Sequence, residues 1–381
     1  MSPLTAEEAR ADLAHTLTTS GALRTPGWQA AFAAVPREVF APAFSIRTPR
    51  GLRDCTAADP DFWATVYSDD SLITLRDAAG TAISSSSQPS LMARMLEAFT
   101  VNDGDRVLEI GTGTGYNTAL LCHRLGAERV VSVDIDPVLT EAAREKLRRI
   151  GYEPEIITGD GTAGHPGSGP YDGILATCGV HRIPRAWLDQ LRPGAVIVAN
   201  IGAGIVRLVT REDGGATGRY LPEEAGFMPA RPVADHVAAT AGRYSALIVR
   251  TPGRTRVEPL PVAREEAADF YRALALTRAM EVVLVHHGVL GMTLRDGEKT
   301  THGLVHPPTA SWARVVPDGA GAVAEVTTGG PRDLWAERRA LLVPWFRAGR
   351  PGPGRYGLSV DPRGGHTLWR EGPDRLSLAL T

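Results

Sequence analysis

Three alternating glycines followed by a later acid form the part of this sequence that is best suited to chemistry. Residues 108–115 read Leu-Glu-Ile-Gly-Thr-Gly-Thr-Gly, and Asp134 comes nineteen residues after Gly115, at the end of the apolar run 130–133. Glycines let the backbone turn sharply while a ligand lies against it, and an acid at this distance can hold a ribose in an α/β protein. The pattern predicts a site for an adenosyl group.

The spacing of the glycines separates two classes of nucleotide. A dinucleotide loop of the form Gly-x-Gly-x-x-Gly needs its third glycine at position 116, where this chain has Tyr116. Glu109 precedes the turn, where a carboxylate attracts a cationic amino-acid group and opposes a pyrophosphate. S-adenosyl-L-methionine is therefore favoured over NAD as the cofactor. The alternative without a ligand is a glycine-rich turn between a strand and a helix.

The elements that must position this loop alternate between strands and helices. Apolar clusters predict the buried strands, and helical periodicity predicts the helices between them. Strands are expected at 106–110, 129–134, 154–158, 172–177 and 195–200, and helices at 5–22, 26–34, 115–125, 137–150, 183–191 and from Pro89 onward. This order predicts an α/β, doubly wound, Rossmann-like class I methyltransferase fold, with ligands at the carboxyl ends of the strands.

The length of 381 residues predicts two domains. Residues 211–233 are rich in Gly and Pro, so we expect a boundary there between a methyltransferase domain at 1–215 and a smaller α+β, peptide-recognition domain at 234–381. In the second domain the patterns predict β-like runs at 246–249, 281–285, 313–316 and 322–326, helices near 263–279 and 332–347, and a hairpin over 356–369.

Charge and cysteine content limit the partners and the compartment. With a net charge of −2, the chain has no excess of basic residues that would bind nucleic acid. No apolar run is long enough to span a membrane, and the unpaired spacing of Cys55, Cys122 and Cys178 suits reduced thiols. We expect a cytoplasmic, monomeric protein that binds a peptide and neither nucleic acid nor membrane.

Several dispersed motifs resemble one known family, the protein-L-isoaspartate O-methyltransferases. The resemblance covers roughly residues 20–205, and the motifs together are specific although each alone is weak. The matching segments are Val-Pro-Arg-Glu-Val-Phe at 35–40, Tyr-Ser-Asp-Asp-Ser-Leu at 67–72, Ser-Gln-Pro-Ser-Leu-Met-Ala-Arg-Met at 87–95, the loop at 109–115, Gly-Asp-Gly at 159–161 and Pro-Tyr-Asp at 170–172.

The resemblance implies roles for individual residues. Ser87 would face the reacting carboxyl group, Asp134 would bind the ribose hydroxyls, and Asp160 would contact the adenine. The chain departs from the family in having Ser85 and Ser86 where Thr-Ile is usual, and Asp134 where Glu is common. We assign Ser85 and Ser86 to substrate binding. The other residues expected to bind the cofactor are Glu109, Gly111, Thr112, Gly113, Gly115 and Gly161.

The residues after 233 direct the choice of substrate. They resemble, most visibly at Ser311–Val315, the extension of actinobacterial relatives that accompany ribosomally made modified peptides such as lanthipeptides and graspetides (RiPPs). The leading hypothesis is esterification of an Asp side chain in such a peptide, which leads through an aspartimide (succinimide) to isoaspartate. The alternatives are repair of isoaspartyl residues in damaged proteins and a docking module without turnover.

Some residues also have structural explanations that the sequence leaves open. Ser87 could cap the helix that Pro89 begins, and Asp160 could open a turn between two glycines. His286, His287, His302 and His306 are the best candidates for a metal site, but Gly303 and Pro307 argue against one helix face that presents two of them, so we expect no metal. Methyl transfer to an ionised carboxylate needs no general base.

Overall fold

The computed structural model describes residues 4–77, 80–230, 241–276, 279–286, 288–297, 299–318, 322–371 and 375–380. The first elements form a helical cap and a small antiparallel sheet in the order β2-β1-β3-β4. They are α1 (Ala6–Thr19), α2 (Pro26–Ala34), α3 (Arg37–Phe40), β1 (Ala43–Thr48), β2 (Gly51–Thr56), α4 (Phe62–Val66), β3 (Leu72–Arg76) and β4 (Ala82–Ser86).

A large sheet follows and confirms the predicted doubly wound fold. Strands β5 to β9 run parallel to one another, and β10 and β11 continue the sheet antiparallel. The elements are α5 (Pro89–Phe99), β5 (Val107–Ile110), α6 (Tyr116–Leu125), β6 (Val130–Asp134), α7 (Pro137–Arg149), β7 (Glu155–Thr158), β8 (Tyr171–Val180), α8 (Arg185–Leu188), β9 (Leu191–Ile201), β10 (Gly204–Thr210) and β11 (Ala216–Glu224).

The strand order places a ligand crevice beside β5. The order β9-β8-β5-β6-β7 means that the chain leaves β5 first toward β6 and β7 and later returns on the other side at β8. Ligands of open α/β sheets bind where the strand order reverses, at the carboxyl ends of the strands. The glycine loop follows β5 at this point, as predicted.

Helix α5 shows how local sequence sets this framework. Pro89 occupies its first turn, and its apolar residues Met92, Met95, Leu96 and Phe99 are buried at 2% exposure or less. Burying side chains of this kind contributes roughly 1.5–3 kcal/mol each. The helix ends at Thr100, which adopts the left-handed region with a φ of 42°. The helix therefore fixes the segment that precedes it, which carries Ser87.

The C-terminal part contains a five-stranded antiparallel sheet in the order β12-β16-β15-β14-β13. Buried aromatic residues, including Phe270 and Trp335, pack helices against it. The elements are α9 (Ala241–Arg250), β12 (Arg254–Pro259), α10 (Ala267–Leu276), α11 (Met280–Val285), β13 (Leu290–Asp296), β14 (Lys299–His306), β15 (Ser311–Pro317), β16 (Val323–Gly329) and α12 (Leu334–Arg347).

Two runs that were predicted as β-like are helical. Residues 246–249 lie in α9, and residues 281–285 lie in α11. An apolar run of four or five residues is too short to distinguish a strand from a helix by its periodicity. Val282 is fully buried in the core of the C-terminal part, so tertiary packing overrides the local preference of this β-branched residue for a strand.

The last three strands join the first part of the chain. They are β17 (Tyr356–Val360), β18 (His366–Arg370) and β19 (Leu376–Leu380). Strand β17 pairs with β11, so the predicted hairpin exists but extends the large sheet to ten strands. The hairpin thus belongs to the large sheet, which the hairpin motif alone does not specify. The division into domains at 215 and 234 stays a prediction.

A buried polar cluster also links the two parts. Glu281 of α11 accepts a hydrogen bond from the Tyr356 hydroxyl at 2.6 Å and forms an ion pair with Arg370 at 3.3 Å. Burial raises the pKa of Glu281 above its ordinary value. Because Met280 and Leu284 also pack into the core of the large sheet, α11 belongs to the packing of both parts.

Candidate active site

A cavity of about 630 Å³ lies at the predicted crevice. This size is typical of a small-molecule site. Its wall combines the loop after β5, the ends of β6 and β8, the serine segment 84–87 and the segment 224–230 that follows β11. Of the residues predicted to act in the site, Ser85, Ser86, Ser87, Gly111, Thr112, Gly113, Asp134, Asp160 and Gly161 are in this wall.

Two glycines of the loop have separate reasons to lack a side chain. Gly111 has a φ of 97°, and a Cβ there would lie 2.8 Å from the Thr177 hydroxyl oxygen. Gly113 has a φ of 52°, and a Cβ there would find only the Ser84 hydroxyl oxygen, 3.9 Å away. The main chain at Gly113 thus borders open space within the cavity, where a ligand can approach it closely.

Gly115 serves the packing of the loop rather than the cavity wall. A Cβ at this position would lie 3.2 Å from Ala143 and 3.3 Å from the Phe40 ring. Its φ of 88° also disfavours an L side chain. Gly115 therefore lets α6 start close to α7, and the structure places it outside the wall to which the sequence assigned it.

Glu109 lies beneath the loop and not in the cavity wall. The side chain is fully buried, and Asn117, Thr118 and Ser132 donate hydrogen bonds to its carboxylate at 2.7, 2.5 and 2.6 Å. Burial raises the pKa of this carboxyl to about 7, although these three donors oppose the rise. The sequence predicted that the Glu109 carboxylate contacts a cationic group of the ligand. In the structure both of its oxygens instead accept hydrogen bonds from the chain itself.

Asp134 connects the second strand to the glycine loop. Its carboxylate accepts hydrogen bonds from the Gly113 N–H at 2.8 Å and from the Asp136 N–H at 3.1 Å. Asp134 thus fixes the loop and presents acceptors at the cavity, where ribose hydroxyl groups could donate to it.

Asp160 has the turn role that the sequence left open, and it also lines the cavity. Its carboxylate accepts from the Thr162 N–H at 2.8 Å and from the Thr162 hydroxyl at 2.7 Å. The neighbouring Gly161 packs closely, since a Cβ there would lie 2.5 Å from Ile110. The turn therefore holds Asp160 rigidly at the end of β7.

Ser87 is not the cap of α5. Gln88 occupies the cap position without a side-chain cap bond, and the Asp69 carboxylate accepts the Ser90 N–H at 2.7 Å instead. Asp69, which belongs to the motif at 67–72, thus caps the helix from a distant loop. The Ser87 side chain is half-buried and lies in the cavity wall.

Arg37 holds the serine segment in place, and no role was predicted for it from the sequence. The side chain is fully buried and makes six hydrogen bonds, with the carbonyls of Val66, Ser68, Asp70, Ser86 and Ser87 and with the Ser86 hydroxyl. Burial lowers the pKa of its guanidinium to about 10, so it remains charged at neutral pH. Because its partners are oxygens 29 to 50 residues away in the sequence, five of them in the main chain, the motif at 35–40 alone gives no sign of this function.

The segment 225–230 covers one side of the cavity. Asn200, at the end of β9, accepts a hydrogen bond from the Phe227 N–H at 3.1 Å and donates to the Ala225 carbonyl at 3.2 Å. Gly179 exchanges main-chain hydrogen bonds with Met228 and Ala230 at 2.9 and 2.8 Å. The sequence predicted only a boundary here, because Gly and Pro residues indicate irregular structure without showing what it covers.

The histidines considered for a metal have other partners. His286 contacts Arg338 and Glu337, His302 contacts Thr293 and stacks on Tyr271, and His287 lies outside the described residues. Burial lowers the pKa of both His286 and His302 to about 4. Within the described ranges no group of three or more potential ligands has the geometry of a metal site.

The sequence predicted reduced thiols for the three cysteines. Cys55, Cys122 and Cys178 are all free, and the first two are buried. Burial raises the pKa of the Cys178 thiol, which lines the cavity, to about 12.

Of the helices that the structure describes, none has the length and apolar character needed to span a membrane.

Three observations indicate that the cavity wall suits S-adenosyl-L-methionine. Gly113 leaves its main chain accessible, Asp134 presents acceptors at the end of the second strand, and the volume suits a nucleoside with an amino-acid tail. When bound, this cofactor would supply an electrophilic methyl group on a sulfonium. Gly111, Gly113 and Asp134 would hold it, and the serine segment would face it across the cavity.

Comparison with known proteins identifies related sequences. A family model described as protein-L-isoaspartate(D-aspartate) O-methyltransferase matches residues 57–230. The protein-L-isoaspartate O-methyltransferase of Ignicoccus hospitalis is 34% identical over 194 residues, which cover 50% of this chain and 81% of that protein. The enzyme of the same name from Azorhizobium caulinodans is 42% identical over 156 residues, which cover 41% of this chain and 66% of the relative.

A solved structure is similar over nearly the whole chain. It is a protein-L-isoaspartate O-methyltransferase with 25% sequence identity and a TM-score of 0.54. The match covers 94% of this chain and 98% of that chain. The similarity therefore extends beyond the part that the family model matches and includes residues from the C-terminal part.

Proposed function

The chain belongs to the protein-L-isoaspartate O-methyltransferase family, and on this premise we propose that it methylates the free carboxyl group of isoaspartyl residues in peptides and damaged proteins. It is an S-adenosylmethionine-dependent carboxyl O-methyltransferase. The observation that carries the proposal is that one cavity wall contains both the glycine loop with Asp134 and the serine segment with Ser87.

The residues of the site act by positioning. A substrate carboxyl group with a pKa of about 4 is ionised at neutral pH, so the reaction requires no general base. The Ser87 hydroxyl is placed to donate a hydrogen bond to one carboxylate oxygen while the other oxygen attacks the methyl carbon. Holding two reactants in line can supply on the order of 7–11 kcal/mol of the barrier. Arg37 acts through Ser87, because it fixes the main chain of the serine segment.

The hypothesis of a modified peptide substrate depends on the C-terminal part. The solved relative that covers 94% of this chain is itself an isoaspartate methyltransferase by name. A C-terminal part of this size is therefore compatible with isoaspartyl substrates, and the comparisons favour repair over Asp esterification in a RiPP precursor. The observation left in favour of that second candidate is that the two curated relatives align with half of this chain or less.

Matched peptides test the proposal. Three peptides of one sequence would carry isoaspartate, L-aspartate or asparagine at the same position and be incubated with the protein and S-adenosyl-L-methionine. We expect a base-labile methyl ester, detected by mass spectrometry, on the isoaspartyl peptide, and its slow conversion to the aspartyl form. Equal or preferential esterification of the aspartyl peptide would support the second candidate, whereas cofactor binding without turnover on any peptide would indicate a docking module.

A further inference from the structure

The hairpin of β1 and β2 brings a basic side chain to the cavity. The hairpin spans residues 43–56, just before the part of the chain that the family model matches. Its Ile46 and Arg47 nevertheless line the cavity together with the serine segment. An element outside the family match therefore contributes to the substrate side of the site.

Arg47 is the one basic residue among the described residues of the cavity wall. Four acidic residues share this wall, namely Asp70, Asp134, Asp160 and Glu224. An anionic peptide that enters such a cavity is repelled by these carboxylates unless a cation compensates them. The Arg47 side chain is exposed and forms no hydrogen bond or ion pair with the described residues, so its guanidinium is available to a ligand.

The strand register locates Arg47 relative to the serine segment. Ser45 of β1 pairs with Ile73 of β3, and Ile73 pairs with Ser85 of β4. Extended by two residues beyond these pairs, the same register would place Arg47 and Ser87 level with each other on either side of residue 71. Because neighbouring strands are about 4.8 Å apart, the two main-chain positions are separated by about 10 Å.

We propose that Arg47 is a specificity-determining residue that binds an acidic side chain close in sequence to the methylated residue of the peptide. An extended peptide rises about 3.3 Å per residue, so a separation of about 10 Å corresponds to roughly three residues. The inference rests on the proposed function. It deepens that function by naming the substrate class, isoaspartyl peptides with an acidic residue within three positions of the isoaspartate.

Steady-state kinetics with three peptides test the proposal. One peptide has isoaspartate among alanines and glycines, and the other two replace a pair of these neutral residues by Glu on the N-terminal or the C-terminal side. For the unmodified protein we expect a KM about fivefold lower for one acidic peptide than for the neutral one, as for an exposed or half-exposed ion pair. The difference should shrink at 0.5 M NaCl, because salt screens such a pair.

Variants of the hairpin distinguish a specific effect of Arg47 on KM from a general effect of positive charge. Arg47→Gln should bring the KM ratio of neutral to acidic peptide to about one, and Arg47→Glu should invert it. The matched control is Arg50→Gln, which removes the same charge from the exposed turn of the same hairpin, outside the cavity wall, and should keep the original ratio. Thermal unfolding of each variant checks that the hairpin remains folded.

The outcomes distinguish failure of this inference from failure of the proposed function. If the unmodified protein methylates isoaspartyl peptides with the same KM whether or not they are acidic, the inference is wrong and the proposed function stands. The inference is also wrong if Arg47→Gln keeps the preference, or if Arg50→Gln loses it equally. If no isoaspartyl peptide is methylated, the proposed function itself fails, and with it the substrate class inferred here.

Discussion

The Arg37 guanidinium donates a hydrogen bond to the main-chain carbonyl of Ser87 at 3.1 Å, across 50 residues of sequence. The same group binds carbonyls of the loop 66–70, so one buried cation joins that loop to the serine segment. None of the ion pairs among the described residues includes Arg37. Its charge is compensated by oriented carbonyl oxygens, and these fix the position of the main chain at Ser87.

Arg37→Lys should lower kcat by at least tenfold and leave the Kd of the cofactor nearly unchanged. Lysine keeps the charge but loses the planar fork, so it cannot reach the five carbonyls and the hydroxyl together. Lost hydrogen bonds to a charged group cost about 1.5–3 kcal/mol each, so stability should also fall. Initial rates at saturating cofactor and calorimetry with S-adenosylhomocysteine separate the two effects.

Arg338→Lys provides the matched control for Arg37. Arg338 is equally buried and donates to His286 and to the carbonyls of Leu274 and Val289, and none of these residues lines the cavity. Its substitution should lower the free energy of unfolding by a similar amount without lowering kcat well below the melting temperature. If both variants lose kcat in proportion to stability, Arg37 has only a structural role.

Ser87→Ala should reduce kcat by about tenfold or more, since a hydrogen bond to a charged group contributes about 1.5–3 kcal/mol, and should preserve cofactor binding. The measurement is methyl transfer to an isoaspartyl peptide at saturating cofactor. Ser90→Ala is the control, because Ser90 begins the same helix but is absent from the cavity wall. Full activity of Ser87→Ala would remove Ser87 from the reaction.

Asp134→Ala should weaken binding of S-adenosylhomocysteine by roughly 10- to 100-fold. The substitution removes an acceptor proposed for the ribose and the partner of the Gly113 N–H, and each charge-assisted hydrogen bond contributes about 1.5–3 kcal/mol. Calorimetry measures the Kd directly. Asp136→Ser is the control, since serine can still cap α7 and Asp136 is outside the wall. An unchanged Kd for Asp134→Ala would exclude the ribose role.

The elements around the glycine loop could be predicted because their signals are local. Apolar runs mark β5 to β9, and the glycines with Asp134 identify the carboxyl edge of the sheet. The roles of Arg37 and Asp69 could not be predicted in this way, because their partners lie about 20 to 50 residues away. The burial of Glu109 was missed for a related reason. A strand position next to a ligand loop does not show whether a carboxylate faces the ligand or the helix behind it.

The C-terminal part shows where local patterns are insufficient. The hairpin over 356–369 was predicted correctly as a hairpin, but only the pairing of Ala216 with Val360 shows which sheet it extends. The runs 246–249 and 281–285 were predicted as β-like and are helices, because runs of four or five residues are too short to show the period that distinguishes the two structures.

Removing residues 234–381 should prevent the remaining chain from folding into a stable monomer. The truncation would expose the edge of β11 and remove Tyr356, Leu358, Val360 and Leu368 from the core of the large sheet. Each such side chain contributes roughly 1.5–3 kcal/mol, and an unpaired edge strand promotes aggregation. Size-exclusion chromatography and thermal unfolding of the fragment 1–233 measure this. A monomeric fragment with a cooperative transition near that of the full chain would instead support two independently folding domains.

Glu109 should make the free energy of unfolding depend on pH between about 4.5 and about 7. Its pKa is raised from an ordinary 4.5 to about 7 by burial, so over this range the unfolded chain releases a proton that the folded chain retains. Stability contributed by the protonated carboxyl is complete below about 4.5 and is lost as pH rises to about 7, a change of about 3 kcal/mol.

Glu109→Gln isolates this dependence on pH from that of other groups. Glutamine has a similar shape, and the hydroxyls of Thr118 and Ser132 can accept as well as donate hydrogen bonds. Urea unfolding at several pH values between 4.5 and 7.5 gives the difference in free energy between the original protein and the variant. This difference should fall as pH rises, because only the carboxyl acquires a buried charge. Parallel stability curves for the two proteins would show that Glu109 is already ionised throughout this range, and hence that its three donors outweigh the cost of burial.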